Sequence, residues 1–521
     1  MGKKQFAESI EITLVKPFSI FLLIHRFNIV GCPMPSYNRS TITNEVNKMK
    51  NERPIVQALK TFIANEPLSL HVPGHKNGLL SQLPNEIKRA LTYDVTELTG
   101  LDDFHHPEEA ILQAEQLLAQ TYGANRSFFL VNGSTVGNLA MIYAICKQGD
   151  TVLVQRNAHK SIFHALQLVG VKPIYLAPKW DENSETAGCV ERVTLTDAIE
   201  RYPYAKAAIF TYPTYYGVTA RDFKQQIEVC HAARIPVLVD EAHGAHFTVT
   251  EKLPTSALDL GADVVVQSAH KTLPAMTMAS FLHVKSQLVS EEKVNHYLRM
   301  LQSSSPSYLL LASLDDARSY VAHYTESDFD YLMDKRQQFI ESLTTSTQLQ
   351  VIEVDDALKL LVRAPGYTGF ELKEALEKVR VYVELADATQ VLLILPLLKH
   401  GDSYPFADLR IRMKEALIYL KDQPYKEQVV QYANFDMVAI TSPEYTFEEI
   451  EQAQKEWVPY MRAIGRIAAA TIIPYPPGIP LFVPGEKITV AKLSQLEELL
   501  AIGATFQGEH RLLEKLIFVI K

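Results

Sequence analysis

From about residue 105 to 285 the chain alternates short apolar runs with longer stretches of helical period. "RSFFLV" (126–131) predicts a strand and "STVGNLAMIYAIC" (134–146) a helix. "DTVLVQ" (150–155), "HKSIFHALQLVG" (159–170) and "KPIYLA" (172–177) repeat the alternation, and "TLTDAIERYP" (194–203) predicts a helix opened by a capping threonine or aspartate. "AKAAIFTYP", "IPVLVDEAH" and "ADVVVQSAH" then each give an unbroken apolar run that ends in polar residues. Unbroken apolar strands belong to a sheet covered on both faces, and strands alternating with helices make parallel connections. The pattern predicts an α/β fold with a mostly parallel central sheet. Ligands of such sheets bind beyond the carboxyl ends of the strands.

A second region begins near 336. It holds "YVELADATQVLLILPL" (382–397), a helix near 404–421 and another around 450–468. The Pro-rich "IIPYPPGIPLFVPGE" (472–486) that follows reads as a turn-rich loop. The expected organisation is an N-terminal extension over 1–50, a major domain over 51–335 and a smaller α+β domain over 336–521. The apolar run Phe18–Ile24 is broken by His25 and Arg26 and is too short to span a bilayer. "IVGC" (29–32) looks like a lipoprotein cleavage box, but the apolar region before it is interrupted. The extension is therefore expected to be disordered, or to precede a true start at Met34 or Met49.

Composition narrows the class. With 47% hydrophobic and 21% charged residues, the 521-residue chain is ordinary for a globular protein and large enough for more than one domain. A net charge of −9 argues against nucleic acid as a partner and is compatible with a small cationic substrate. Cys32, Cys146, Cys189 and Cys230 show neither metal-ligand spacing nor a disulfide framework, which fits a reducing cytoplasm. No metal site is expected.

The strand ends carry the candidate chemistry. After "RSFFLV" comes "NGST", placing Ser134 and Thr135 where a helix begins. Free N–H groups, hydroxyls and the helix dipole make a phosphate seat there, although hydroxyls at a helix start also need no ligand. After "DTVLVQ" comes His159, an imidazole that can lie flat on an aromatic ligand or simply be solvated. After "IPVLV" comes Asp240, whose carboxylate needs a partner where water is scarce. A helix cap would satisfy it. So would a cationic ring nitrogen, with a gross attraction of about 4 kcal/mol at 4 Å. After "ADVVVQ" come Ser268, His270 and Lys271. A lysine there can be salt-bridged, or it can condense with an aldehyde and so cease to be a free ammonium. His-Lys occurs at 75–76, 159–160 and 270–271, but only Lys271 follows a buried strand. A phosphate seat, a stacking ring, an anion for a ring nitrogen and an imine-forming lysine together match pyridoxal phosphate.

With these residues the chain resembles the pyridoxal-phosphate-dependent Orn/Lys/Arg decarboxylase family. The matching stretches include "LHVPGHKNG" (70–78), "DVTELTGLDDFHHP" (94–107), "NGST", "RNAHKS", "YPTYYGV" (212–218), "VDEAHGAH" (239–246), "SAHKTLPAMTMAS" (268–280), "SSSPSYLLLASLD" (303–315) and "PYPPGIPLFVPGE". They cover roughly residues 52–490 and are most similar to the shorter bacterial members without a wing domain. The resemblance implies the aspartate aminotransferase (type I) fold and decarboxylation of arginine, lysine or ornithine. It implies Lys271 as the Schiff-base lysine, His159 stacked on the cofactor ring and Asp240 on the pyridinium nitrogen. Ala242 would lie beneath the ring with His243 nearby, and Ser134, Thr135, Ser268 and His270 would hold the phosphate. Larger members often have tryptophan where His243 stands. "SSSPSY" is expected to reach toward a neighbouring subunit, implying at least a homodimer. Acids expected to meet the substrate's distal cation are Glu97, Asp102 and Glu486, with Asp94 and Asp103 beside them. Two alternatives remain at this point: a type I aminotransferase, and a cofactor-free relative serving as a binding subunit.

Overall fold

The computed structural model describes residues 52–426, 438–475, 480–501, 504–508 and 510–521. The expected extension over 1–50 and the centre of the Pro-rich loop lie outside them. The described residues belong to one compact unit.

The first strands are β1 (Arg126–Leu130), β2 (Thr151–Gln155), β3 (Lys172–Leu176), β4 (Pro178–Asp181), β5 (Thr186–Val190), β6 (Ala208–Thr211), β7 (Val237–Asp240), β8 (Val264–Gln267) and β9 (Ser280–Val284). A smaller antiparallel sheet follows, from β10 (Gln350–Glu353), β11 (Lys359–Arg363), β12 (Leu385–Ala386) and β13 (Val391–Ile394), in the order β10-β11-β13-β12. β14 (Ile440–Thr441) then returns to the edge of the large sheet, whose order is β1-β9-β8-β7-β6-β2-β3-β14. The pairs from β8 through β7, β6 and β2 to β3 are parallel, whereas β9 runs antiparallel to both neighbours.

Successive side chains of each central strand enter opposite cores. Val237, Val239 and Val265 pack into one apolar cluster, and Leu238, Val264 and Val266 into the other. That is why these strands read as unbroken apolar runs. Each such side chain contributes about 1.5–3 kcal/mol when fully buried. The helix Gly133–Ile145 lies close on the sheet: a Cβ at Gly137 would stand 2.7 Å from Leu130 Cδ1 and 2.8 Å from Val266 Cγ1. The absence of a side chain there sets the helix start beside the strand ends.

Several sequence expectations shift. The helix expected at 194–203 is Arg192–Arg201, and its preceding residue Glu191 makes no side-chain cap bond. The helix expected around 450–468 is divided into Phe447–Gln452 and the single turn Tyr460–Ala463, with a strand Lys455–Pro459 between them paired with Leu516–Ile520. Pro459 cannot lie within a helix, and the partner strand is remote in sequence. The expected 335/336 boundary falls inside the 21-residue helix Glu326–Ser346. Among the described residues no helix is long and apolar enough to cross a membrane, and no cluster of three His, Cys, Asp or Glu could hold a metal.

Candidate active site

The loops that follow β1, β2, β6, β7 and β8 converge on one cavity of about 330 Å³. Its walls include Ser134 and Thr135 after β1, His159 after β2, and Tyr215 after β6. Asp240, Ala242 and His243 come from the end of β7, and Ser268, His270 and Lys271 from the helical turn Ala269–Thr272 and its cap directly after β8. The cofactor-site residues expected from sequence are thus brought together at the carboxyl edge of the sheet.

Lys271 Nζ lies 2.8 Å from His243 Nε2 and 5.3 Å from the centre of the Tyr215 ring. Burial lowers the Lys271 pKa, while Asp240 and Glu384 pull it back. Burial first, then the neighbouring Lys271 cation, holds His243 well below the usual histidine range. A neutral imidazole accepts the Lys271 N–H at Nε2 and keeps its own proton on Nδ1.

Asp240 is 2% exposed. Asn138 Nδ2 donates to its Oδ2 at 2.9 Å, and the Ala242 N–H donates to Oδ1 at 3.2 Å. Asn138 Nδ2 also donates to Ser161 Oγ, which lies 2.8 Å from His159 Nδ1. Buried hydrogen bonds thus fix the carboxylate and the imidazole relative to each other. Burial lowers the His159 pKa, against the raising effect of Asp240.

The donor set fits pyridoxal phosphate. Ser268 Oγ is buried and has no hydrogen-bond partner among the described residues, although it lines the cavity. The helix carrying Ser134 and Thr135 begins without a side-chain cap, so its first N–H groups face the same space. His270 Nδ1 lies 3.0 Å from the Ala279 carbonyl, which orients the ring and leaves Nε2 for a ligand. An unpaired hydroxyl, an uncapped helix start and an imidazole suit a phosphate, and a fixed carboxylate suits a ring nitrogen.

The acidic residues expected to meet a substrate are placed differently. Asp102 accepts the backbone N–H groups of Glu108, Glu109 and Ile111, each at 2.9 Å, and so caps the start of the helix Ala110–Tyr122. Glu486 is 5% exposed and takes both Arg156, with Nη2 at 2.7 Å, and Lys492 at 2.7 Å. Glu97 accepts from Thr96 Oγ. Asp94 holds His75 at 3.0 Å, and Asp103 accepts the His105 N–H at 2.8 Å. None of the five lines the cavity. Local turns and a remote arginine satisfy most of these carboxylates, and runs of acidic residues do not disclose such partners.

Three site residues escaped sequence reasoning: Asn138, Tyr215 and Lys359. Asn138 is a fully buried amide on the inner face of a helix that is otherwise apolar there, four residues after Ser134. That lone polar position was a usable signal. Lys359 is also fully buried, and its Nζ donates to the Tyr215 carbonyl at 2.9 Å.

Fold and site define a pyridoxal-phosphate-dependent enzyme of the aspartate aminotransferase (type I) fold. Residues 53–361 match the Orn/Lys/Arg decarboxylase major domain, and residues 426–508 its C-terminal domain. The chain therefore belongs to the Orn/Lys/Arg decarboxylase family and is an amino-acid decarboxylase. It is 44% identical over 477 residues to the uncharacterized protein YaaO of Bacillus subtilis (strain 168), covering 89% of this chain and 98% of that one. It is 34% identical over 492 residues to the arginine decarboxylase of the same strain, covering 91% and 98%. The solved structure of Escherichia coli constitutive lysine decarboxylase shares the fold, with a TM-score of 0.74 at 20% identity over 93% of this chain and 84% of that one.

Proposed function

We propose that the enzyme decarboxylates a basic L-amino acid to the corresponding amine and CO2, with arginine preferred over lysine and ornithine. The observation that carries the reading is the convergence of Lys271, His243 and Asp240 on one cavity. Arginine is favoured because relatives 32–34% identical over most of the chain are arginine decarboxylases.

When bound, pyridoxal phosphate supplies the sink for the electron pair left by departing CO2. Lys271 provides the amine that ties the aldehyde to the chain. Ser134, Thr135, Ser268 and His270 would hold the phosphate. His159 would lie against the ring, with Ala242 on its other side. Asp240, its oxygens fixed by Asn138 and the Ala242 N–H, would keep a proton on the ring nitrogen. His243 Nε2 is placed to take a proton from Lys271 Nζ and return it, so the pair can reprotonate the product carbon.

The smaller α+β region from about 336 is proposed as a second domain closing one side of this site. A cytoplasmic homodimer is the expected form. The described Cys146, Cys189 and Cys230 are free, as in a reducing compartment. Leu68, Leu70, Val72, Leu79 and Leu80 are each at least 64% exposed, an apolar stretch suited to a second copy. Ser303 N–H donates to Asn132 Oδ1, setting the "SSSPSY" segment beside the cavity rim.

The test is CO2 release from arginine, lysine and ornithine, with keto-acid formation measured in parallel. CO2 without keto acid is expected, fastest from arginine. Absence of CO2 from all three, with cofactor bound, would overturn the reading.

A further inference from the structure

A basic substrate brings a distal cation into a cavity that already holds the Lys271 amine. Among the described residues lining that cavity, Asp240 is the one carboxylate, and its oxygens are engaged by Asn138 and the Ala242 N–H. Glu486 and Asp102 are filled elsewhere. The distal cation therefore needs another anion.

Tyr215 leads to one. Its ring lies 5.3 Å from Lys271 Nζ and 4.4 Å, centre to centre, from the His243 ring. Its hydroxyl donates to Glu384 Oε1 at 3.3 Å. Glu384 precedes β12, where its N–H donates to the Leu392 carbonyl at 3.0 Å, so its backbone is fixed at the edge of the smaller sheet. The carboxylate is exposed. Burial lowers the pKa values of Lys271, His270 and Lys359, and Glu384 is near enough to pull each of them back in part.

The tyrosine is held from behind. Lys359 Nζ donates to the Tyr215 carbonyl at 2.9 Å, and Asp356 stands 3.9 Å from the same ammonium. A Cβ at Gly217 would lie 2.8 Å from Lys359 Cδ, with φ at +92°, so the loop is packed tightly onto that lysine. The path from the reacting amine to Glu384 thus runs along one fixed phenol ring.

We infer that Glu384, oriented by the Tyr215 hydroxyl, receives the distal cation of the basic substrate and sets the enzyme's preference for it. The inference rests on the decarboxylase reading. It differs from a general role in the field around Lys271, because it concerns one end of the substrate only.

The experiment compares the parent enzyme with Glu384→Gln and Tyr215→Phe. KM and kcat are measured for arginine, lysine, ornithine and norleucine, which lacks the distal cation, and cofactor content is followed by visible absorbance. For Glu384→Gln, KM for the preferred basic substrate is expected to rise about 10- to 100-fold, the size of one lost hydrogen bond to a charged group. KM for norleucine should stay put and the cofactor should remain bound. Tyr215→Phe should show a smaller loss in the same direction. An unchanged KM for the basic substrate, or an equal rise for norleucine, would overturn the inference and leave the decarboxylase reading standing. A parent enzyme that releases no CO2 from any of the three basic amino acids removes both.

Discussion

Lys271 Nζ lies 2.8 Å from His243 Nε2. Burial lowers the pKa of both groups, and the Lys271 cation further disfavours a charged His243. The arrangement is stable with a neutral imidazole accepting from the amine, and it keeps a proton acceptor next to the amine that the proposed reaction requires as a nucleophile.

Replacing His243 by phenylalanine keeps an aromatic ring beside Tyr215 and removes the acceptor. The expected outcome is a fall in kcat of about 100-fold, the lower end for a lost proton-transfer group, with cofactor content retained. Steady-state decarboxylation and visible absorbance of the purified variant check it. A kcat equal to the parent's would make His243 a spacer only.

Asp240 and Asn138 separate charge from positioning. Asp240→Asn removes a gross attraction of about 4 kcal/mol, so kcat should fall about 1000-fold. Asn138→Ala leaves the charge but frees Oδ2 and breaks the link to Ser161. A loss of only about 10-fold is expected, the equivalent of one buried hydrogen bond. Single-turnover decarboxylation at saturating cofactor distinguishes the two, and equal losses would show that position rather than charge matters at Asp240.

Glu486 should matter for stability and not for substrate affinity. Glu486→Ala would leave Arg156 and Lys492 facing each other with no anion between them, Arg156 being 3% exposed. Stranding a buried charge costs about 3–5 kcal/mol. Denaturant unfolding should show that loss, while KM of the remaining folded enzyme stays at the parent value. A raised KM with unchanged stability would restore Glu486 as a substrate contact.

The contrast between Lys271 and Glu486 shows what local pattern discloses. That Lys271 and Asp240 line one cavity was legible because Asp240 ends and Lys271 closely follows an unbroken apolar strand, and in a parallel sheet those ends share one edge. Glu486 was not, because its partner Arg156 lies 330 residues away and only the folded chain brings them together. Lys359 was hidden for a similar reason: it sits in a strand of the smaller sheet, yet it holds a carbonyl of a loop 144 residues earlier. The strand Lys455–Pro459 was mistaken for helix because its pairing with Leu516–Ile520 is likewise non-local. Elements whose stability comes from neighbours in sequence were read correctly, including Gly133–Ile145 and Phe406–Leu420.

Glu241, beside Asp240, gives a test by pH. Its carboxyl is fully buried and accepts from Ala257 N–H at 2.7 Å, Gln267 Nε2 at 2.6 Å and Ser256 Oγ at 3.0 Å. Burial outweighs these donors and raises its pKa from 4.5 to about 8. The folded protein therefore keeps a proton that the unfolded chain releases. The stabilisation from this group is complete below pH 4.5 and is lost progressively as pH rises to about 8. Glu241→Gln has no proton to lose. Its unfolding free energy should fall less steeply across that window, and the difference from the parent should shift in the variant's favour as pH rises, by at most about 1.4 kcal/mol per pH unit. Urea unfolding of both proteins at several pH values measures the two slopes. Coincident slopes would mean that the three donors keep Glu241 ionised in the folded enzyme.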